Sequence, residues 1–160
     1  MKLKSNVERK INNMEKNELL NLINTLCLNN EDVVMFLNNY YTNIKIDYEK
    51  INEKIDKLFF KNIVEYDKAI NIYYSYRKRS NDCKGLALIG LNLLKNLIDY
   101  FEYDYSSKNY KKIMDISEYV CEYIVQVEDN YALRELYESL VCKDELYEDM
   151  MDIYYSYFEK

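Results

Sequence analysis

With 160 residues, two glycines, no proline and no histidine, the chain excludes a good deal before any pattern is read. So few turn residues argue against an all-β fold and leave no way to write a Gly-rich phosphate loop or a dinucleotide fingerprint. The missing imidazole removes Ser-His-Asp and Cys-His catalysis, histidine metal sites and the Arg–His helical nucleases. The net charge of −6 is unevenly spread: residues 1–80 hold 14 Lys/Arg against 11 Asp/Glu, whereas residues 81–160 hold 8 against 17.

In chain order, residues 1–13 are basic and weakly periodic, with Leu3, Val7, Ile11 and Met14 spaced for a short helix. The run NELLNLINTLCLNN follows, with Asn17 as its expected cap and Leu19, Leu20, Ile23, Leu26 and Cys27 as its expected inner face. Asn30 is expected to cap EDVVMFLNNYY, where Glu31 and Asp32 suit the positive end of a helix dipole and Val33, Val34, Phe36, Leu37 and Tyr40 point inward. Asp47 opens YEKINEKIDKLFF, in which Ile51, Ile55, Leu58 and Phe59 repeat at three and four. A fifth helix is predicted from Val64 to Arg79, with Ala69, Ile70, Tyr73 and Tyr76 toward the core and the basic cluster Arg77, Lys78 and Arg79 at its end.

The strongest segment is Leu86 to Phe101. Leu86, Ile89, Leu93, Leu97 and Tyr100 make one stripe, Leu94, Ile98 and Phe101 widen it, and Leu88 and Leu91 lie off it. A helix apolar on most sides belongs in the middle of a bundle. Asp82 is its expected N-cap. Gly90 inside it costs about 1 kcal/mol relative to alanine, and close approach of another helix is one reason to keep it. Asn92, Lys95, Asn96 and Asp99 interrupt the run, and a membrane span needs about 20 mostly apolar residues, so the membrane reading is rejected. Beyond it, KKIMDISEYVCEYIVQV places Ile113, Ile116, Val120, Ile124 and Val127 on one side. NYALRELYESLV and DELYEDMMDIYYSYF follow, with Asn130 and Asp144 as caps. The expected fold is all-α: a single domain over residues 1–160, of about eight or nine short antiparallel helices in a hairpin array or bundle around the central helix.

Ile72-Tyr73-Tyr74-Ser75-Tyr76 reappears about half a chain later as Ile153-Tyr154-Tyr155-Ser156-Tyr157, and Tyr66 matches Tyr147 at the same offset. The echo reads either as two related helical halves or as coincidence in a tyrosine-rich chain.

The opening MEKNELLNLINTLCLNNEDVVMFL, with its polar start, E-L-L helix, acidic break and second short helix, resembles helical domains that accompany SWIM zinc fingers and related bacterial helical proteins. YDKAINIYYSY and GLNLLKNLIDYF follow the same helix order. The resemblance implies a helical-hairpin array and no activity. The cysteine–histidine signature of the finger itself is absent, so no site residue carries over.

The four cysteines, Cys27, Cys83, Cys121 and Cys142, are far apart and read as free thiols, which makes a reduced cytoplasm the expected compartment. No signal peptide is recognised. Glu118/Glu122 and Glu145/Asp149 sit four apart on predicted helices, a spacing that suits a hard cation but is routine on helix surfaces. No catalytic, cofactor or metal residue is assigned. The Arg77–Arg79 cluster closes a helix, where cations suit the dipole, and is too narrow for a nucleic-acid footprint, so direct nucleic-acid binding is disfavoured.

From Asp115 onward 13 acids face only Arg134, Lys143 and Lys160, among eight tyrosines. Carboxylates steer a basic partner, and tyrosines offer contact area and rings that receive Arg or Lys. The expected function is therefore non-enzymatic protein binding through Glu118, Glu122, Tyr137, Glu138, Glu145, Glu148, Asp149, Asp152 and Tyr155. The expected partner is a basic protein surface, such as the channel of a nucleic-acid enzyme, in the manner of an anti-defence inhibitor, immunity protein or antitoxin. A self-associating scaffold subunit and a divalent-cation enzyme using carboxylates are the alternatives.

Overall fold

The computed structural model describes residues 4–42, 47–61, 63–101, 107–142 and 146–159; Asp144, Glu145 and the side chain of Tyr40 lie outside that description. The described residues form nine helices and no strand: α1 (Ser5–Asn12), α2 (Lys16–Asn29), α3 (Glu31–Thr42), α4 (Tyr48–Phe59), α5 (Tyr66–Arg77), α6 (Cys83–Phe101), α7 (Ser107–Ile124), α8 (Tyr131–Val141) and α9 (Tyr147–Phe158). The all-α architecture follows from the helical period carried by nearly every segment.

Local chemistry sets the helix starts. The Asp47 carboxylate accepts from the Lys50 amide at 3.2 Å, that of Asp82 from the Gly85 amide at 2.9 Å, and the Asn30 amide oxygen from the Asp32 amide at 3.0 Å. α2 begins earlier than Asn17 would place it. Glu15 is its cap, in a reciprocal box where the Glu15 amide donates to Glu18 at 3.0 Å. Asn130 stands at the start of α8 without a side-chain cap bond.

α6 is the hub. It packs against α4, α5, α7 and α8, and eleven of its residues are buried. Tyr100, expected on its inner stripe, is exposed at the helix end and stacks edge-on with Phe59 and Phe101. Gly90 sits where α5 and α7 cross α6. A Cβ there would fall 2.6 Å from Val120 Cγ2 and 2.8 Å from the Tyr73 oxygen, so glycine lets the three helices meet.

Around the hub the chain stacks as hairpins. α4, α6 and α8 form one layer; in the other α7 packs on α9 and meets α5 through side chains. Within the second layer the helices run parallel. Asp67 near the start of α5 meets Lys112 of α7, and Arg77 at its end meets Tyr123. The same order holds from α7 to α9, where Tyr110 reaches Asp149 and Tyr157 lies beside Glu118 and Glu122.

α5 and α9 give the sequence echo a structural form. Both are 12 residues long, and their separation is the one that relates Tyr66 to Tyr147. Ala69, Ile70 and Tyr73 are buried in α5; Met150, Met151 and Tyr154 are buried at the matching positions of α9. Ser75 donates back to the Ile72 carbonyl at 2.8 Å, and Ser156 to that of Ile153 at 2.6 Å.

α2 corrects an expectation. Leu19, Leu20 and Leu26 are exposed, Ile23 and Cys27 are half-buried, and no residue of α1 or α2 is buried. α2 packs on α3, and Asp32 at the start of α3 pairs with Arg79 at 2.8 Å. Periodicity marks an apolar face without stating that the chain supplies anything to cover it. Among the described residues no helix is long and apolar enough to cross a membrane.

Candidate functional site

The acidic residues singled out by the sequence come from three helices. Glu118 and Glu122 project from α7, Glu138 from α8, and Glu148, Asp149 and Asp152 from α9, and all six are exposed. Their exposure follows from helical spacing, because the inner face of α7 is taken by Ile113, Ile116, Val120 and Ile124, and that of α9 by Met150, Met151 and Tyr154. The parallel packing of α7 and α9 sets Tyr157 of α9 beside Glu118 and Glu122 of α7, its phenol pushed upward by burial and then by their charges. Tyr110 is raised by desolvation, by the Asp149 charge and by its hydrogen bond to Asp149.

Positive charge is scarce on this side. Among the described residues Glu118, Glu148, Asp149 and Asp152 form no ion pair, and Glu122 has only a 3.7 Å approach from Arg77. Arg134 is already engaged: its Nε donates to the Tyr154 hydroxyl at 2.7 Å and its guanidinium lies 4.8 Å from the Phe158 ring. Glu138 is turned to the same seam and accepts from the Tyr154 hydroxyl.

The tyrosines divide into two groups. Tyr155 is 40% exposed and stands beside the acids of α9, and Tyr131 is 68% exposed at the start of α8. Tyr137 is 0% exposed and is corrected from a partner-binding residue to a core one. Its hydroxyl bonds Ser117 and donates to the Met150 carbonyl at 3.0 Å, tying α7, α8 and α9 together, and its ring stacks on Tyr154 at 5.6 Å. The sequence could not separate these cases, because a phenol suits a wet surface and a satisfied core equally well. Glu145 lies outside the described residues.

A second constellation was underrated in the sequence. Arg77 is not a free helix-end cation. Its guanidinium lies 3.3 Å from the centre of the Tyr119 ring, 5.7 Å from that of Tyr123 and 5.9 Å from that of Tyr74, and its Nε donates to the Tyr123 hydroxyl at 3.1 Å. Beside it opens a cleft of about 500 Å³ bordered by Asp32, Asn71, Ser75, Lys78 and Arg79. Tyr74 three residues before Arg77, with Tyr119 and Tyr123 four apart, is the signal that could have found this box. Arg79 is paired with Asp32, and Arg77 with its tyrosines, so the cleft offers few polar groups ready for a ligand.

No grouping of three or more metal-ligating Cys, Asp or Glu side chains occurs among the described residues. All four cysteines are free, and burial pushes the Cys121 thiol up to about 12. Comparison with known proteins gives no match: no family model, no curated protein and no solved structure is similar to the chain.

Proposed function

We propose that the protein is a non-enzymatic binding module whose acidic face on α7 and α9 docks on a positively charged protein surface. One observation carries the reading: Glu118, Glu148, Asp149 and Asp152 lie exposed on two adjacent parallel helices and have no described cation to neutralise them. Unpaired like charges on one side of a fold repel one another, and a basic partner relieves that repulsion while being steered into place. Exposed Tyr155 adds a rigid ring at the edge of the face. An inhibitor or adaptor that covers a basic channel, as an anti-defence, immunity or antitoxin protein would, fits this chemistry. The free cysteines support a reducing, cytoplasmic setting for it.

The test is retention from a lysate of the native host on the immobilised full chain, beside a chain carrying Glu118→Lys, Asp149→Lys and Asp152→Lys. A retained protein that elutes with rising salt and is missed by the reversed chain supports the reading. Equal retention by both chains refutes it.

The exposed Leu19, Leu20 and Leu26 of α2 favour a second reading, self-association, because contiguous uncovered apolar side chains mark contact surfaces. Mass that grows with concentration in light scattering, and does not when Leu20 and Leu26 are made Glu, is its signature.

A further inference from the structure

We infer that the α2–α3 hairpin is half of a four-helix bundle, completed by the same hairpin of a second copy of this chain across a two-fold axis, with the two α2 helices antiparallel. This rests on the self-association reading and adds to it the surface, the symmetry and the register.

Composition singles out the hairpin. Residues 19–42 hold two charged side chains, Glu31 and Asp32, in a chain that is 31% charged. Both stand in the first turn of α3, and Asp32 is paired with Arg79 at 2.8 Å. A helix with one wet face carries its charges there, whereas the core of an interface is depleted of them. Burial then shows that the cover is incomplete. Leu22, Ile23 and Cys27 of α2 and Val33, Val34, Phe36 and Leu37 of α3 are half-buried, and none of the described side chains of the two helices is fully buried. Leu20 and Leu26 are 48% and 47% exposed. Two helices side by side make one layer, and a layer buries its apolar face only against a second one.

The α2 stripe is complementary to itself. Leu19, Leu22, Ile23 and Leu26 fall on one helical face. With the axis between Leu22 and Ile23, Leu19 of one copy stands opposite Leu26 of the other, and Leu22 opposite Ile23. Lys16 then falls opposite Asn29 and Glu18 opposite Cys27, so no charge meets its own copy. A parallel pair would set Lys16 against Lys16 and Glu18 against Glu18. Charge also chooses the occupant. A two-fold contact presents the same patch twice, which suits a neutral patch, and a hairpin this poor in charge has little with which to steer a basic or acidic partner.

The test follows the mass of the full chain by light scattering as concentration rises, for the parent and for Leu19→Glu and Leu26→Lys, singly and together. The parent is expected to level off at twice the chain mass. Each single variant should raise the dissociation constant at least about tenfold, because it sets a charge against a leucine. The double variant should return to within about threefold of the parent, because each new carboxylate faces a new ammonium across the axis. Helical circular dichroism should be unaltered throughout, since both leucines are exposed. Growth lost in the single variants and not regained in the double one overturns the antiparallel pair while leaving the self-association reading in place. Growth beyond the dimer without a plateau, the mark of an open assembly, does the same. Growth that neither single variant changes places the contact elsewhere and overturns both. Constant mass in the parent also overturns both, and a host protein retained by the parent chain but not by Leu19→Glu would then identify a different protein as the occupant.

Discussion

α5 and α9 share a length, a buried triad and a serine back-bond, but they occupy different places in the stack. α5 is enclosed by α4, α6 and α7, and its Tyr73 hydroxyl is buried against Gly90 with no hydrogen-bond partner. α9 packs on α7 and α8, and the matching Tyr154 hydroxyl bonds both Arg134 and Glu138. One motif therefore serves packing in the first position and polar linkage to α8 in the second. Neighbours, more than the motif, decide what a tyrosine does.

The largest expected effect tests whether the two units melt together. Burial first, then neighbouring charge, holds the phenols of Tyr73 and Tyr137 well above their ordinary 10.0. Folding thus favours the neutral rings. Their contribution is fully present below pH 10 and is lost as the pH rises through the raised folded values. Urea unfolding between about pH 8 and pH 12 should show stability falling only above about pH 10, in one step by circular dichroism and tyrosine absorbance together. Two separated steps would show that the α5 and α9 units are independent.

Next comes the crossing that encloses α5. Gly90→Ala should cost about 1–3 kcal/mol in urea unfolding, because Val120 and the Tyr73 ring must shift, and this outweighs the roughly 1 kcal/mol gain in helix propensity. A more stable variant would mean that the glycine does not fix the crossing.

The hydroxyl pair sharpens the contrast directly. Tyr154→Phe should lose about 1 kcal/mol with its two bonds, whereas Tyr73→Phe should be neutral or slightly stabilising because it removes an unpartnered polar atom. Equal losses at the two sites would erase the distinction. The smallest effect is expected outside both units: Leu20→Glu with Leu26→Glu should alter monomer stability by less than about 0.5 kcal/mol, since neither side chain is buried.

The helices, the caps Asn30, Asp47 and Asp82 and the inner faces of α4 to α7 were legible because each is a local matter of period and side-chain chemistry. Ile51, Ile55 and Leu58, or Ile113, Ile116 and Val120, can be recognised without knowing what they touch. The acidic character of the last helices was equally legible from composition. The fate of individual rings was not. Tyr137 and Tyr155 sit in similar acidic, amphipathic surroundings in the sequence, and only the convergence of Ser117 and Met150 on one hydroxyl marks Tyr137 as core. The Arg77 box required the 46-residue contact to Tyr123, which no local pattern announces.

Composition and periodicity by themselves determined that this protein is all-α, lacks imidazole chemistry and carries its negative charge toward one end. These three properties follow from side-chain identity and from a repeat of 3.6 residues per turn. Tertiary structure alone decided which amphipathic faces are covered, leaving the α2 stripe bare while burying Tyr73 of α5 and Tyr137 of α8. Burial depends on which helix lies alongside, and that is set by contacts between residues distant in the chain.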